Sequence, residues 1–292
     1  MVDEPLNSPD FSAEKLEAMQ PSNLEEVLVE VEDVAPSPSL ELPLLAATNL
    51  VKNFGGIKAV DNASIEVAKG SITGLVGPNG AGKTTLFNLL SNFIRPDSGR
   101  VLFDGEPVHH LQPHVIARMG MVRTFQVARA LSRLSVIENL LLAAQKQTGE
   151  KFWNTWIRHR EIATEEKQNR EKAIAILESV GLAHMAHEYA GALSGGQRKL
   201  LEMGRALMTD PKLILLDEPA AGVNPTLINQ ICDRVQQWNR NGMTFLIIEH
   251  NMDVIMSLCD RVWVLAEGRN LAVGTPAEIQ ANPDVLEAYL GQ

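Results

Sequence analysis

The sequence predicts an α/β fold, a parallel sheet flanked by helices with a helical subdomain inserted into it, on three observations. Short runs that carry no charge and are almost wholly apolar end in turn residues or charges. Ile72–Val76 runs into Gly77, Leu213–Leu216 into Asp217, and Phe245–Ile248 into Glu249 and His250. Runs of this kind suit strands buried on both faces, as in a parallel sheet. Between them lie helical patterns, Lys83–Asn92 and Arg198–Met208 among them, and alternating strand and helix indicates an α/β architecture. The third observation is a stretch from about residue 126 to 195 that lacks such runs and reads as helices over Val136–Gln145 and Glu161–Ser179. Open α/β sheets bind ligands at the carboxyl ends of their strands, and all three apolar runs place polar or glycine residues there.

Residues 1–43 read as a separate, disordered extension, and residues 44–292 as the folded domain. The extension carries Pro5, Pro9, Pro21, Pro36, Pro38 and Pro43, and eleven acidic residues against one basic, Lys15. Acidic, proline-punctuated composition cannot bury enough apolar surface to order itself. Its one helical signal is a capping box, Asn23 with Glu26, followed by Leu24, Val27, Leu28 and Val31 at helical spacing. The extension accounts for the whole formal charge of −10, leaving the remainder neutral. A neutral domain without a basic stripe argues against a nucleic-acid partner. No apolar run reaches the roughly 18 residues of a membrane span, and no secretory signal opens the chain. Cys232 and Cys259 are scattered thiols, which suits a reducing compartment and no disulfide framework.

The first apolar run leads into Gly77-Pro78-Asn79-Gly80-Ala81-Gly82-Lys83-Thr84, which matches the G-x-x-x-x-G-K-[ST] phosphate loop in its confirming context, after a strand and before a helix. Glycines let successive N–H groups turn inward as an anion nest, and the following helix aims its positive end at the same place. Lys83 supplies charge at the β- and γ-phosphates of ATP, and Thr84 a hydroxyl for Mg²⁺. The second run ends in Asp217 and Glu218, as in a Walker B strand. Asp217 is expected to hold Mg²⁺, and Glu218 to orient or deprotonate water.

Leu193-Ser194-Gly195-Gly196-Gln197 narrows the class. Ser194 is a good N-cap for the helix that continues to Met208 before Asp210-Pro211, and the glycines at its start form a second anion site. Here the sequence resembles the ABC ATPase family, whose signature is LSGGQ. The resemblance covers nearly all of residues 44–292, with markers in the family's order: Phe54, the phosphate loop, Gln126, the signature, Asp217-Glu218 and His250. It implies ATP and Mg²⁺ as cofactors. Phe54 is implied to stack on adenine, residues Gly77 to Thr84 with Thr85 to bind ATP, and Gln126 to contact Mg²⁺ or the attacking water and sense the membrane partner. His250 is implied to hydrogen-bond the γ-phosphate. The signature is implied to contact ATP held by an opposing subunit, so that two ATPase subunits pair. Phe54 stands where many members have Tyr, and Asn224 where many have Asp.

Finer details resemble one branch, the longer ATPase subunit of branched-chain (hydrophobic) amino-acid importers. They are Arg123-Thr124-Phe125-Gln126, Val136-Ile137-Glu138-Asn139-Leu140, Asp217 through Pro225, Ile248-Glu249-His250-Asn251-Met252, and the ending around Asn282-Pro283-Asp284 and Ala288-Tyr289-Leu290-Gly291. The long segment 146–172 adds to that likeness. The resemblance implies a peripheral subunit on the cytoplasmic face of the membrane. Its implied partners are a second ATPase subunit, in a homodimer or, in preference, a heterodimer, two transmembrane permeases and, indirectly, a solute-binding protein. Urea and short-amide importers have similar ATPases, and a soluble, non-transport ABC protein is the reading from another class. One cluster stands outside these motifs: Phe152, Trp153 and Trp156, flanked by Lys151, Arg158 and Arg160, reads either as packing within the helical lobe or as a contact with permease or membrane.

Overall fold

Three strands buried at every residue form the centre of the molecule, as the apolar runs require. A computed structural model of the chain describes residues 42–124, 130–145 and 159–290. The acidic extension to residue 41, Gln126 and the Trp153–Trp156 cluster lie outside the described residues.

In chain order, β1 (Leu45–Phe54) and β2 (Ile57–Val67) form an antiparallel pair. Buried β3 (Ile72–Val76) leads through the phosphate loop into α1 (Lys83–Leu90). Helix α1 stops two residues short of the predicted Asn92, because Ser91 turns its hydroxyl back to Phe87 O (2.7 Å) and Asn92 adopts a left-handed φ of 52°. Next come β4 (Ser98–Phe103), β5 (Glu106–Pro107), α2 (Pro113–Met119) and the short β6 (Met121–Arg123).

The inserted region follows. α3 (Val136–Leu141) begins with a capping box made by Ser135 and Glu138. It ends four residues before the predicted Gln145, where Ala143 and Ala144 N–H bond to Leu140 O and Leu141 O in tighter turns. α4 (His159–Ser179) starts two residues early. α5 (Gly195–Leu207) takes in the glycines that precede Arg198, because Ser194 caps them. The chain then alternates: β7 (Leu213–Asp217), α6 (Pro225–Arg240), β8 (Thr244–Ile248), α7 (Met252–Leu258), β9 (Arg261–Ala266), β10 (Arg269–Gly274), α8 (Pro276–Ala281) and α9 (Pro283–Leu290).

Among the described residues the strands form two sheets, ordered β2-β1-β4-β5 and β10-β9-β3-β8-β7-β6. The first is antiparallel. In the second, β9, β3, β8, β7 and β6 run parallel, and β10 closes one edge antiparallel. Side-chain alternation sorts each central strand between two cores. Leu75, Leu213, Leu215, Leu246 and Ile248 face a core shared with the antiparallel sheet and α1. Ile72, Val76, Ile214, Leu216, Phe245 and Ile247 face the other, which continues into Val136, Leu140, Ala173, Leu177 and Leu201 of the inserted helices. Each such fully buried aliphatic side chain contributes about 1.5–3 kcal/mol, so the double-sided burial fixes which strand ends are free to carry chemistry. Those ends are aligned: Leu75 and Asp217 both pair with Ile248.

Candidate functional site

At the end of β3 the chain turns sharply, and two glycines are held there by neighbouring backbone. A Cβ on Gly77 (φ 149°) would lie 2.0 Å from Leu265 O, and one on Gly82 (φ 93°) 2.3 Å from Ala59 O. No side chain fits either place, so the loop is clamped between β9 and β2 by close approach. Lys83 is 5% exposed, and its Nζ donates to Gly77 O and Pro78 O, both at 2.8 Å. Burial lowers its pKa from the usual lysine value, and the Glu218 carboxylate opposes that shift. Thr84 is exposed and Thr85 half-buried in the first turn of α1, which holds no acidic residue to offset the helix dipole. The loop is therefore a positively biased cradle.

β7 delivers two carboxylates to the same edge. Asp217, 9% exposed, accepts from Arg123 Nη2 at 2.8 Å. Glu218 breaks from the strand with φ 48°, its N–H donating to Ile248 O at 3.0 Å. A non-glycine residue in the left-handed region is strained, and such strain collects at functional sites. His250 Nε2 donates to Glu218 Oε1 at 3.0 Å. Two further groups hold the turn. Lys199 Nζ, from α5, donates to Glu218 O (3.0 Å), Pro219 O (2.9 Å) and Ala221 O (2.7 Å). Glu249 Oε1 accepts Ala220 N–H at 2.6 Å and Oε2 accepts His250 N–H at 3.2 Å. Glu249 is 3% exposed, and burial raises its pKa despite those N–H donors.

The signature lies at the start of α5. Leu193 is buried; Ser194 Oγ accepts Gln197 N–H (3.3 Å), and Gln197 Oε1 accepts Ser194 N–H (2.9 Å). Gly195 and Gly196 form the first turn, with Gly196 against Leu227 of α6. Asn224 caps α6, its Oδ1 accepting Leu227 N–H at 2.9 Å, a role that Asn fills as well as Asp. Ser194, Gln197 and Asn224 share a cleft of about 450 Å³ with Gln230 and Arg234.

The structure thus gathers Lys83, Asp217, Glu218 and His250 at one sheet edge, and Ser194, Gln197 and Asn224 at a second place. Phe54 ends β1, 44% exposed, with Lys52 Nζ 5.6 Å from its ring centre. Three charged residues that the sequence reading gave no role hold these groups in place: Arg123, Lys199 and Glu249. An arginine directly after the apolar pair Met121-Val122, and a glutamate directly after an all-apolar run, were the available signals.

A family model described as "ABC transporter" matches residues 60–221, and one described as "Branched-chain amino acid ATP-binding cassette transporter" matches residues 269–292. The chain is 43% identical over 254 residues to a probable branched-chain amino acid transport ATP-binding protein, LivG, of Archaeoglobus fulgidus, covering 86% of this chain and 96% of the relative. It is 39% identical over 251 residues to the high-affinity branched-chain amino acid transport ATP-binding protein LivG of Escherichia coli K12, covering 86% and 98%. Among solved structures, the ADP conformation of an ATP-binding cassette of an ABC transporter superposes with a TM-score of 0.75 at 40% identity, over 86% of this chain and all of the other.

Proposed function

The chain belongs to the ABC transporter family as an ATP-binding subunit with ATPase activity, and from that footing we propose that it energises an importer of branched-chain or other neutral amino acids through the residues gathered at the sheet edge. The amino-acid reading rests on the likeness to branched-chain amino acid transport ATP-binding proteins. An importer of urea or short amides is the alternative. The observation that carries the catalytic assignment is Glu218, strained and hydrogen-bonded to His250, on the edge that also bears the Lys83 loop.

In this reading residues Gly77 to Thr85 bind the phosphates, with Lys83 turning its ammonium from loop carbonyls to the β- and γ-phosphates. Phe54 stacks on adenine. Glu218 orients water and takes its proton, and His250 turns its N–H from the Glu218 carboxylate to the γ-phosphate. Thr84, Asp217 and Gln126 would hold Mg²⁺. The donors fit that ion: Thr84 and Asp217 offer oxygen alone, and the described residues contain no cluster of three or more acidic, histidine or cysteine ligands that would cage a different metal. Mg²⁺ keeps most of its shell from water and phosphate and needs few protein oxygens. When bound it neutralises charge developing on the phosphates.

The signature, Leu193 to Gln197, serves a second ATPase subunit's nucleotide, and a different, shorter partner is favoured. Two permeases and a solute-binding protein complete the assembly. Among the described residues no helix is long and apolar enough to cross a membrane. The likeness to transport ATP-binding proteins supports a peripheral subunit held on the cytoplasmic face by its permeases. Glu218→Gln is expected to keep ATP binding and to lower turnover by about 10²–10⁴-fold. Phosphate release within a factor of about three of the unmodified complex would remove Glu218 from the role of base. Stimulation of the complex by leucine, isoleucine or valine, against urea, identifies the solute.

A further inference from the structure

Arg123 sits where the reading above needs Asp217 to meet a cation. The two side chains are 8% and 9% exposed and pair at 2.8 Å through Arg123 Nη2 and Asp217 Oδ2. A guanidinium does not lose its charge in a protein, so this is a permanent ion pair within the site. Its anchorage is on α1. Nη1 donates to Asn88 Oδ1 at 2.6 Å and lies 3.4 Å from Ser91 Oγ. The guanidinium carbon stands 4.9 Å from the centre of the Phe87 ring and 5.5 Å from that of Phe93. One end of α1 therefore opens on the phosphate loop and the other holds Arg123. The arginine is held by four side chains of α1 and the turn after it, while Asp217 ends its strand.

We propose that Arg123 is a positioning residue that acts as the resident counter-cation of Asp217 and sets how strongly nucleotide binding depends on Mg²⁺. The proposal rests on the assignment of Asp217 to Mg²⁺. Without a cation at Asp217, its carboxylate, at the end of a strand one removed from β3 and its phosphate loop, repels incoming phosphate. Arg123 cancels that repulsion, so the loop stays receptive to nucleotide before the metal is in place. With Mg²⁺ present the carboxylate is neutralised in any case, and Arg123 matters less. Its effect is electrostatic and local, because both groups are nearly out of water, where screening is weak.

The test is ATP affinity of the full chain, measured by equilibrium titration in EDTA and in excess Mg²⁺, with melting temperature alongside. Arg123→Gln is expected to weaken binding in EDTA by about tenfold and in Mg²⁺ by less than about threefold, widening the ratio of the two affinities. Arg123→Lys keeps the charge and should give an intermediate ratio. A merely structural arginine would lower melting temperature, or both affinities by one factor, and leave the ratio unchanged; that result overturns the proposal. Asp217→Asn tests the underlying assignment separately, since an unchanged ratio there removes Asp217 from Mg²⁺ and not Arg123 from its pair. Should Arg123→Gln fail to fold, the neutral double variant Arg123→Gln with Asp217→Asn strands no charge. It should bind ATP in EDTA about tenfold more weakly than Asp217→Asn alone, and equal affinity overturns the proposal.

Discussion

Glu249 shows how one buried side chain can be both necessary and costly. Its two oxygens satisfy N–H groups of Ala220 and His250, the residues that flank Glu218 in space. Truncation to Ala leaves Ala220 N–H without its acceptor, which costs about 1–3 kcal/mol, and a lower melting temperature would register it. Glu249→Gln keeps an oxygen for Ala220 and removes a charge that burial penalises, but it sets an NH2 against His250 N–H, so it should melt between Glu249→Ala and the unmodified protein. The pH dependence has a definite sign. Burial raises the folded pKa of Glu249 above its unfolded value, so the folded state holds the proton more tightly. This group's contribution is fully present below the ordinary carboxylate pKa and is lost as pH rises through the raised one. Stability measured across that window should fall less with rising pH in Glu249→Gln than in the unmodified chain. An identical slope would show that the carboxylate is charged at no cost.

At the scale of elements, α5 joins the two groupings of the site. Its first turn is the signature, and two residues past the motif Lys199 grips the turn that carries Glu218. Ser194 has two separable duties. As a cap, Ser194→Ala should cost about 0.5–2 kcal/mol of stability, read as a lower melting temperature of the isolated subunit. As a signature residue it is expected to impair the partner's nucleotide site and spare its own. Pairing Ser194→Ala in the assembled complex with a partner whose own phosphate-loop lysine is replaced by Ala would then leave one intact composite site. Equal loss at both sites from Ser194→Ala alone would count against that assignment. The sequence made this much legible because cap, glycines and helix are contiguous, and because strands β3, β7 and β8 are apolar on both faces. The antiparallel sheet was not legible. β1 and β2 slip register at several points, and Asn49 and Asn62 take left-handed φ values, so no clean alternation survives. Arg123 and Asp217 meet across 94 positions, and no local pattern announces such a pair.

Over the whole molecule, the order of strands in the parallel sheet is far from their order in the chain. β3, which ends in the phosphate loop, has β8 on one side and β9 on the other. Its hydrogen-bonding neighbours are therefore made by the ribosome roughly 170 residues after it, and at about 5–20 residues per second that is a wait of roughly ten to thirty seconds. Throughout that interval a strand buried at every residue in the finished fold has neither edge satisfied. The nucleotide site is thus a late product of synthesis, although its best-known sequence lies in the first third of the chain. Nascent chains arrested before Thr244 should fail to retain ATP and should be cut by protease around residues 77–83. Chains arrested once Ala266 has cleared the ribosome should bind and resist. ATP retained by the shorter chains would mean that β1, β2 and α1 hold the loop without the central sheet. Unpaired apolar strands of this kind are where aggregation starts, so the feature that aligns the site's residues also exposes the growing chain to a hazard that ends only with its last strands.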